Sequence, residues 1–257
     1  TKEQNLEKTK LVSTFSTNVS DSTGNRKFNV NKALSAFNGM VVNPGEQVSF
    51  NEVTGPQTKE NGYKVATIIL NGKFVDGVGG GICQASTTLY NALIRAGVKI
   101  TEVNKHTLPV KYVPLALDAM VSEFISDLKF ENTSENPIYI KTFSTSENVG
   151  VNIYSAPLEN GVKIKARSEV KKVIPHLGDE IRVDVNKEYS DKVLFKGEQF
   201  RVLWPREGYE VFSYLDYYNK NGELIKTEQI RHEIYKPQKG LIVEGSVPVP
   251  NGMQLID

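Results

Sequence analysis

The residue best suited to chemistry in this sequence is Cys83, the only cysteine among its 257 residues. It follows a glycine run, from which Ile82 separates it, and precedes a segment with helical periodicity that begins at Gln84. The N-terminus of a helix carries partial positive charge, which favours the reactive thiolate form of a cysteine. Glycines let the backbone approach a substrate carbonyl, and N–H groups near Gly80 and Gly81 can stabilise an oxyanion. The pattern indicates a cysteine nucleophile for acyl transfer.

A nucleophilic cysteine needs a base, and the histidine nearest to Cys83 in sequence is His106. We predict that His106 lies on a strand that folds back towards the start of the helix. Asp118, on the next predicted strand region, is the candidate that holds the imidazole in orientation. The order of cysteine, helix, histidine and aspartate resembles that of transglutaminase and papain-like thiol enzymes. An aspartate at a strand end is common, so the order alone leaves the role of Asp118 open.

Three further side chains near these residues are candidates for substrate binding. Gln84 and Ser86 fall in the first turn of the predicted helix, where polar side chains contact substrate or cap backbone N–H groups. Capping is the safer interpretation for Ser86 and for Thr87. Tyr112, soon after His106, can line a groove, although an amphipathic strand would place it there for packing alone.

The same residues also admit a purely structural interpretation. The glycines Gly79 to Gly81 can form a flexible turn, and a free cysteine is often a small buried apolar residue. The protein would then be a wall-binding or adhesive module in which Cys83 has no chemical role. A buried, slowly alkylated thiol distinguishes this alternative from an enzyme.

A hairpin and a helix are predicted to position Cys83. Asn71-Gly72, a strong signal for a tight hairpin turn, separates strand-like segments at 66–70 and 73–76. A helix is expected over 84–97. The spacing of apolar residues predicts a shorter helix over 29–39, with Asn29 as its cap and Gly39 as its stop. Further strands are expected at 47–50, 98–103, 110–117, 121–130 and 138–143.

From about Lys163 the pattern changes to alternating strands without helical periodicity. A turn at 219–222 separates two long strand-like segments, 209–218 and 224–235, as in a hairpin. We therefore predict an α+β protein. Its catalytic domain, residues 1–155, has an antiparallel sheet and the cysteine-bearing helix, and a smaller all-β domain follows at residues 156–257.

Composition limits the kind of ligand. A formal net charge of +1 gives no global electrostatic reason to bind nucleic acid or an anionic membrane. The three histidines, His106, His176 and His232, lack the spacing of metal ligands, so we predict no metal and no cofactor. No apolar stretch reaches the roughly 18 residues that cross a bilayer, and we expect any export signal or membrane anchor upstream of Thr1. One free thiol in an exported protein risks oxidation, which suggests that the thiol is used.

Several motifs resemble the VanW family. They are Gly79-Gly-Gly-Ile-Cys-Gln-Ala-Ser-Thr-Thr-Leu-Tyr-Asn-Ala-Leu93, His106-Thr-Leu-Pro-Val-Lys-Tyr-Val-Pro114 and Asp118-Ala119. The resemblance extends from about Leu11 to about Tyr154. The C-terminal part, which ends in Val243-Glu-Gly-Ser246, is similar to the G-five β module of surface proteins.

The resemblance implies a peptidoglycan L,D-transpeptidase at the outside of a Gram-positive cell. On that basis Cys83 attacks a stem peptide, releases terminal D-alanine and passes the acyl group to a neighbouring stem, forming a 3-3 cross-link. The motif positions support Cys83, His106 and Asp118, with Gly80, Gly81 and Gln84 as motif neighbours. Expected partners are peptidoglycan stem peptides and, through the C-terminal module, wall glycan. An L,D-carboxypeptidase and a cysteine endopeptidase use the same acyl-enzyme, and a spacer that holds the first domain off the membrane explains the β module equally well.

Overall fold

The computed structural model of this chain describes residues 9–70, 73–123 and 125–252. It is mostly β, with 43% strand and 14% helix, and contains several antiparallel sheets. The first of two compact units comprises the described residues up to Glu169 together with Phe212–His232, and the second comprises Val170–Val211 and the described residues from Glu233. The finer α+β description and the predicted domains 1–155 and 156–257 stay predictions.

The first part of the chain interleaves helices with short strands. In order, the elements are β1 (Lys10–Asn18), α1 (Gly24–Ser35), β2 (Val41–Val42), β3 (Gln47–Ser49), α2 (Phe50–Thr54), β4 (Val65–Leu70), β5 (Lys73–Val78), α3 (Ile82–Arg95), β6 (Lys99–Glu102), β7 (Lys129–Glu131), β8 (Ile138–Ser144) and β9 (Asn148–Ser155). One sheet has the order β1-β9-β8-β2, a second has the order β3-β7-β6, and β4 pairs with β5 as an antiparallel hairpin. The predicted hairpin strands are confirmed, and their turn at Asn71-Gly72 lies outside the described residues.

Helix α3 is the centre of the core. Its apolar residues Leu89 and Leu93 are fully buried, and α3 packs against α1, β1 and β9. The burial continues around the whole helix, since every residue from Ile82 to Ile94 is buried except Cys83, which is partly exposed. The thiol is therefore the one point on this stretch of helix that a substrate can reach.

Helix α1 begins earlier than its apolar pattern predicts. It starts at Gly24, and the Thr23 side chain accepts a hydrogen bond from the Arg26 N–H as the N-cap. Asn29 was predicted as the cap, but it lies within the helix and is fully buried. The apolar face of Val30, Leu34 and Phe37 is buried as predicted, and Gly39 adopts a positive φ of 82° after the helix end.

The strands predicted at 110–117 and 121–130 are wrong. Residues 106–118 form bends, turns and irregular backbone, and strand β7 begins only at Lys129. His106 and Asp118 are thus not on neighbouring strands. Apolar residues such as Leu117 and Val121 are buried, which explains the misleading pattern. Their backbone groups bond to side chains of α3 instead of to a strand, as described below.

The remainder of the described chain contains no α-helix, as predicted. After a short 3-10 turn at Glu159–Gly161, the strands are β10 (Lys163–Ile174), β11 (Asp179–Val183), β12 (Gln199–Leu203), β13 (Gly208–Tyr218), β14 (Leu224–Tyr235) and β15 (Gly240–Glu244). β13 and β14 are neighbours in a sheet, which confirms the predicted hairpin, and the second unit contains a sheet of order β11-β15-β12. Within the described ranges, no helix has the length and apolar character required to cross a bilayer.

Candidate active site

The glycine run before Cys83 is required by close packing within the chain. A Cβ at Gly80 would lie 2.7 Å from backbone atoms of Ala66 and Thr67 on β4. Gly79 and Gly81 have positive φ values of 83° and 112°, which side chains rarely adopt. The buried Asn29 side chain donates to the Gly80 carbonyl oxygen at 3.0 Å and anchors the turn. The run is therefore a constrained turn that positions the start of α3.

Replacing Gly80 by alanine is expected to reduce the free energy of unfolding by about 1 to 3 kcal/mol, because the added methyl group meets backbone that cannot rotate away. Gly24→Ala is the matched control, since no atom lies within 4 Å of a Cβ there. Urea unfolding followed by circular dichroism measures both variants. Equal stability of the two would show that the turn tolerates a side chain.

Cys83 lies in the first turn of α3, two residues after the N-cap residue Gly81. Its thiol donates a hydrogen bond to the Val121 carbonyl oxygen at 3.3 Å, and its side chain also hydrogen-bonds His106. The structural interpretation of the sequence expected a buried thiol, whereas Cys83 is partly exposed. A nucleophile at this point is accessible and has an imidazole beside it.

His106 and Asp118 form a buried pair. Oδ2 of Asp118 accepts hydrogen bonds from both Nδ1 and the backbone N–H of His106, each at 2.7 Å. His106 is 8% exposed and Asp118 is 1% exposed. Because Asp118 is bonded to Nδ1, Nε2 is the ring nitrogen of His106 that hydrogen-bonds Cys83. The structure thus brings the three predicted residues into one chain of hydrogen bonds.

The electrostatics of the pair favour a protonated imidazole. Burial of His106 opposes its charge, but the hydrogen bonds to Asp118 and Cys83 and the negative charges of both raise its pKa to about 9. Burial likewise opposes the charge of Asp118, and the hydrogen bonds from His106 outweigh it and lower the Asp118 pKa. An imidazole held in this way can keep a proton at neutral pH and release it to a leaving group.

Polar side chains of α3 hold the segment that carries Asp118. Ser86 Oγ donates to the Ala119 carbonyl oxygen at 2.6 Å, and Thr87 Oγ1 accepts from the Ala119 N–H at 2.9 Å. Asn91 Nδ2 donates to the Leu117 carbonyl oxygen at 2.7 Å. Ser86 and Thr87 are fully buried and do not cap the helix, contrary to the sequence interpretation. In this structure Ser86 supports the Asp118 segment, and its hydroxyl does not face solvent.

Gln84 and Tyr112 are both close to the site but differ in their surroundings. The buried Gln84 side chain donates to Thr17 Oγ1 at 3.1 Å and to the Asn18 carbonyl oxygen at 2.8 Å. Tyr112 is partly buried and hydrogen-bonds the side chain of Thr87. Its burial, followed by the nearby charge of Cys83, raises the pKa of the phenol. The structure brings Tyr112 beside the thiol, whereas the Gln84 amide is engaged within the chain.

Two arginines at the site give no signal in the local sequence. Arg231, on β14, is 8% exposed, and its Nη1 donates to the Asp118 carbonyl oxygen at 2.5 Å. It also hydrogen-bonds Tyr90 of α3. Arg26 of α1 donates to Gln84 Oε1 at 3.1 Å. Both contacts join residues far apart in sequence, which is why motif spacing does not reveal them.

Arg231→Leu is expected to lower the free energy of unfolding by about 1 to 3 kcal/mol, because the buried carbonyl of Asp118 loses its donor. Arg182→Leu is the control, since Arg182 is exposed and forms an ion pair with Glu188 at 3.9 Å. Chemical denaturation of both variants provides the measurement. A larger loss from Arg182→Leu would contradict the support assigned to Arg231.

A cleft of about 200 Å³ adjoins the glycine turn. Its lining residues are Asn51, Glu52, Gly55, Pro56, Gln57 and Glu123. Gln57 touches the turn, since a Cβ at Gly79 would lie 3.3 Å from Gln57 Cβ. Glu123 follows two residues after Val121, the acceptor for the thiol. Within the described ranges, no group of three histidine, cysteine or acidic side chains has the arrangement of a metal site.

Comparisons with known proteins relate most of the first half of the chain to one family. A family model described as VanW like protein matches residues 25–154. The uncharacterized protein YoaR of Bacillus subtilis is 39% identical over 152 residues, which cover 59% of this chain and 50% of that protein. Vancomycin B-type resistance protein VanW of Enterococcus faecalis is 31% identical over 118 residues, which cover 43% of this chain and 42% of that protein. The chain thus spans half or less of these curated relatives.

Two solved G5 structures match a third of the chain. The structure of HP0197-G5 has 20% identity and a TM-score of 0.17, and covers 33% of this chain and 97% of that one. The IgA1 protease G5 domain has 17% identity and a TM-score of 0.21, and covers 34% of this chain and 95% of that one.

Proposed function

Because the chain belongs to the VanW-like family, whose model matches half of it, we propose that it is a peptidoglycan L,D-transpeptidase of the cell envelope. The observation that carries the proposal is the hydrogen-bonded series Cys83, His106 and Asp118, all within the matched region. An accessible thiol beside a buried, oriented imidazole is the arrangement used for covalent acyl transfer.

In the first half-reaction the Cys83 sulfur attacks the carbonyl carbon between the third and fourth residues of a stem peptide. The sulfur attacks as the thiolate while Nε2 of His106 holds the proton, and a tetrahedral intermediate forms. Its collapse breaks the peptide bond, and His106 returns the proton to the amine of departing D-alanine. The product of this step is a thioester on Cys83.

In the second half-reaction the amine of a neighbouring stem attacks the thioester. His106 accepts a proton from this amine, the carbon–sulfur bond breaks, and the proton restores the Cys83 thiol. The new amide is a 3-3 cross-link. Asp118 holds Nδ1 of His106 throughout, so that Nε2 keeps facing the sulfur.

The backbone before Cys83 is the proposed oxyanion site. The N–H groups of Ile82 and Gln84 already donate to the carbonyl oxygens of Gly79 and Gly81, at 3.1 and 2.8 Å. The Gly79 N–H likewise donates to the Lys64 carbonyl oxygen at 3.1 Å, so we assign the oxyanion to the N–H groups of Cys83, Gly80 and Gly81. Preorganised donors of this kind stabilise charge that develops on the carbonyl oxygen.

The test is product analysis by mass spectrometry. The protein is incubated with a tetrapeptide stem, first alone and then with an amine acceptor. Release of D-alanine with a new cross-linked product supports transpeptidation, whereas release into water alone, with acceptor present, identifies an L,D-carboxypeptidase. Absence of both, with folded protein and intact thiol, favours a wall-binding role, and saturable binding to wall fragments would then be expected.

The proposal places stem peptides at the Cys83 site, with the protein outside the membrane. We also propose that the region after about residue 156, whose sequence is similar to a G-five module, binds wall glycan. Co-sedimentation with purified wall sacculi, compared with sacculi from which the stem peptides have been removed, tests which part of the wall is bound.

A further inference from the structure

Arg26, in the first turn of α1, lies against the residues on both sides of Cys83. A Cβ at Gly81 would be 3.1 Å from Arg26 Cγ, so the arginine stem covers the turn that leads into the thiol. After the thiol, Gln84 Oε1 accepts from Arg26 Nη2 at 3.1 Å. The charges of Arg26 and Cys83 both act on the Tyr112 phenol, so the guanidinium and the sulfur lie near the same side chain.

The guanidinium of Arg26 has no acidic partner within the part of the chain that the structure describes. Its bond to Gln84 uses one of the five N–H donors of an arginine. Arg201 shows the contrasting case, because it binds both carboxylate oxygens of Asp179, at 2.6 and 2.8 Å. A partly buried guanidinium without a counter-ion is well suited to bind a planar anion.

Support of Gln84 does not account for this arrangement. The Gln84 amide nitrogen is already held by Thr17 and by the Asn18 carbonyl oxygen, and its Oε1 takes only one of the N–H donors of Arg26. A neutral glutamine or methionine at position 26 would pack against the turn without introducing a charge into a half-buried place. The charge itself is therefore the feature that needs a function.

We propose that Arg26 binds the C-terminal carboxylate of the donor peptide and so selects stems that end at the residue after the scissile bond. This inference rests on the proposed function, in which D-alanine is the terminal residue. Its carboxylate is one residue from the carbonyl that Cys83 attacks, so a group beside Gly81 and Gln84 can reach it when the carbonyl is at the sulfur. Arg26 is then a specificity-determining residue.

Binding of a tetrapeptide stem and of its C-terminal amide, by isothermal titration calorimetry, tests the proposal without requiring turnover. Both are measured in a Cys83→Ala background, with and without Arg26→Gln. We expect Arg26→Gln to weaken binding of the free acid by roughly 10- to 100-fold, the effect of losing a charge-assisted pair, and to change binding of the amide by less than about twofold.

Lys27→Gln is the matched control, because it removes an equal charge from the next residue of α1, where Nζ contacts the Ser146 carbonyl oxygen at 3.5 Å. It is expected to leave both affinities unchanged. Equal losses for acid and amide, no loss, or no saturable binding of the acid in the Cys83→Ala protein would each overturn the proposal. If the acid is preferred through Arg26 but the unmodified protein releases no D-alanine, the carboxylate site stands and the proposed reaction fails.

Discussion

Replacing Cys83 by alanine is expected to lower acyl transfer by at least about a thousandfold, because no other group supplies the nucleophile. The free energy of unfolding should change by less than about 1 kcal/mol, since Cys83 is partly exposed and its thiol makes a weak hydrogen bond to Val121. The released D-alanine is quantified as the product, and intact-protein mass spectrometry detects the acyl adduct on the protein. A donor adduct should form on the unmodified protein and not on the variant.

Cys83→Ser separates chemistry from shape. The hydroxyl keeps the size and the hydrogen-bonding capacity of the thiol, but it is a weaker nucleophile at neutral pH. We expect the serine variant to bind donor peptide like the unmodified protein while losing most of its turnover. Full activity in either variant would exclude a thioester mechanism and would favour a structural role for the glycine turn and Cys83.

Asp118→Asn is expected to slow acyl transfer by roughly 10²- to 10⁴-fold and to change its pH dependence. In the unmodified protein, activity should fall as pH rises through about 9, where His106 loses the proton that it donates to the leaving amine. Removal of the Asp118 charge destabilises the imidazolium and lowers the His106 pKa. The alkaline limb of kcat/KM should therefore move to lower pH by about 1 unit or more.

Asp127→Asn is the matched control for this prediction. Asp127 is also a buried carboxylate, but it accepts hydrogen bonds from Ser49 and from the Asn51 backbone N–H, away from His106. The control should lose stability and keep the alkaline limb near its original position. An unshifted limb in Asp118→Asn, or an equal shift in both variants, would remove Asp118 from the role proposed for it. Iodoacetamide labelling of Cys83 across the same pH range gives a second readout that needs no peptide substrate.

The site combines a rigid helix with irregular segments whose shape depends on that helix. Ser86, Thr87 and Asn91 supply hydrogen bonds that a strand would otherwise provide to residues 117–119. Arg231 adds a further donor from β14, beyond the region that the family model matches. Truncation after the matched region would therefore leave the Asp118 carbonyl without its buried donor.

The sequence by itself determined the local parts of this site. A glycine run before a helix is encoded by neighbouring residues, so the position of Cys83 at the start of α3 and the β4-β5 strands could both be predicted. His106 and Asp118 could be nominated because few residue types act as base and orienting acid. The burial of Val30, Leu34 and Phe37 followed from helical spacing alone.

Tertiary structure decided how those parts meet. The apolar residues around Leu117 and Val121 suggested strands, but they are buried in the same core cluster as residues of α3, and irregular backbone satisfies its hydrogen bonds through Thr87 and Asn91. The contacts of Arg26 with Gln84 and of Arg231 with Asp118 join residues separated by 58 and 113 positions. Such pairings leave no periodic trace in a single sequence, because they depend on which elements pack together and not on the spacing within any one of them.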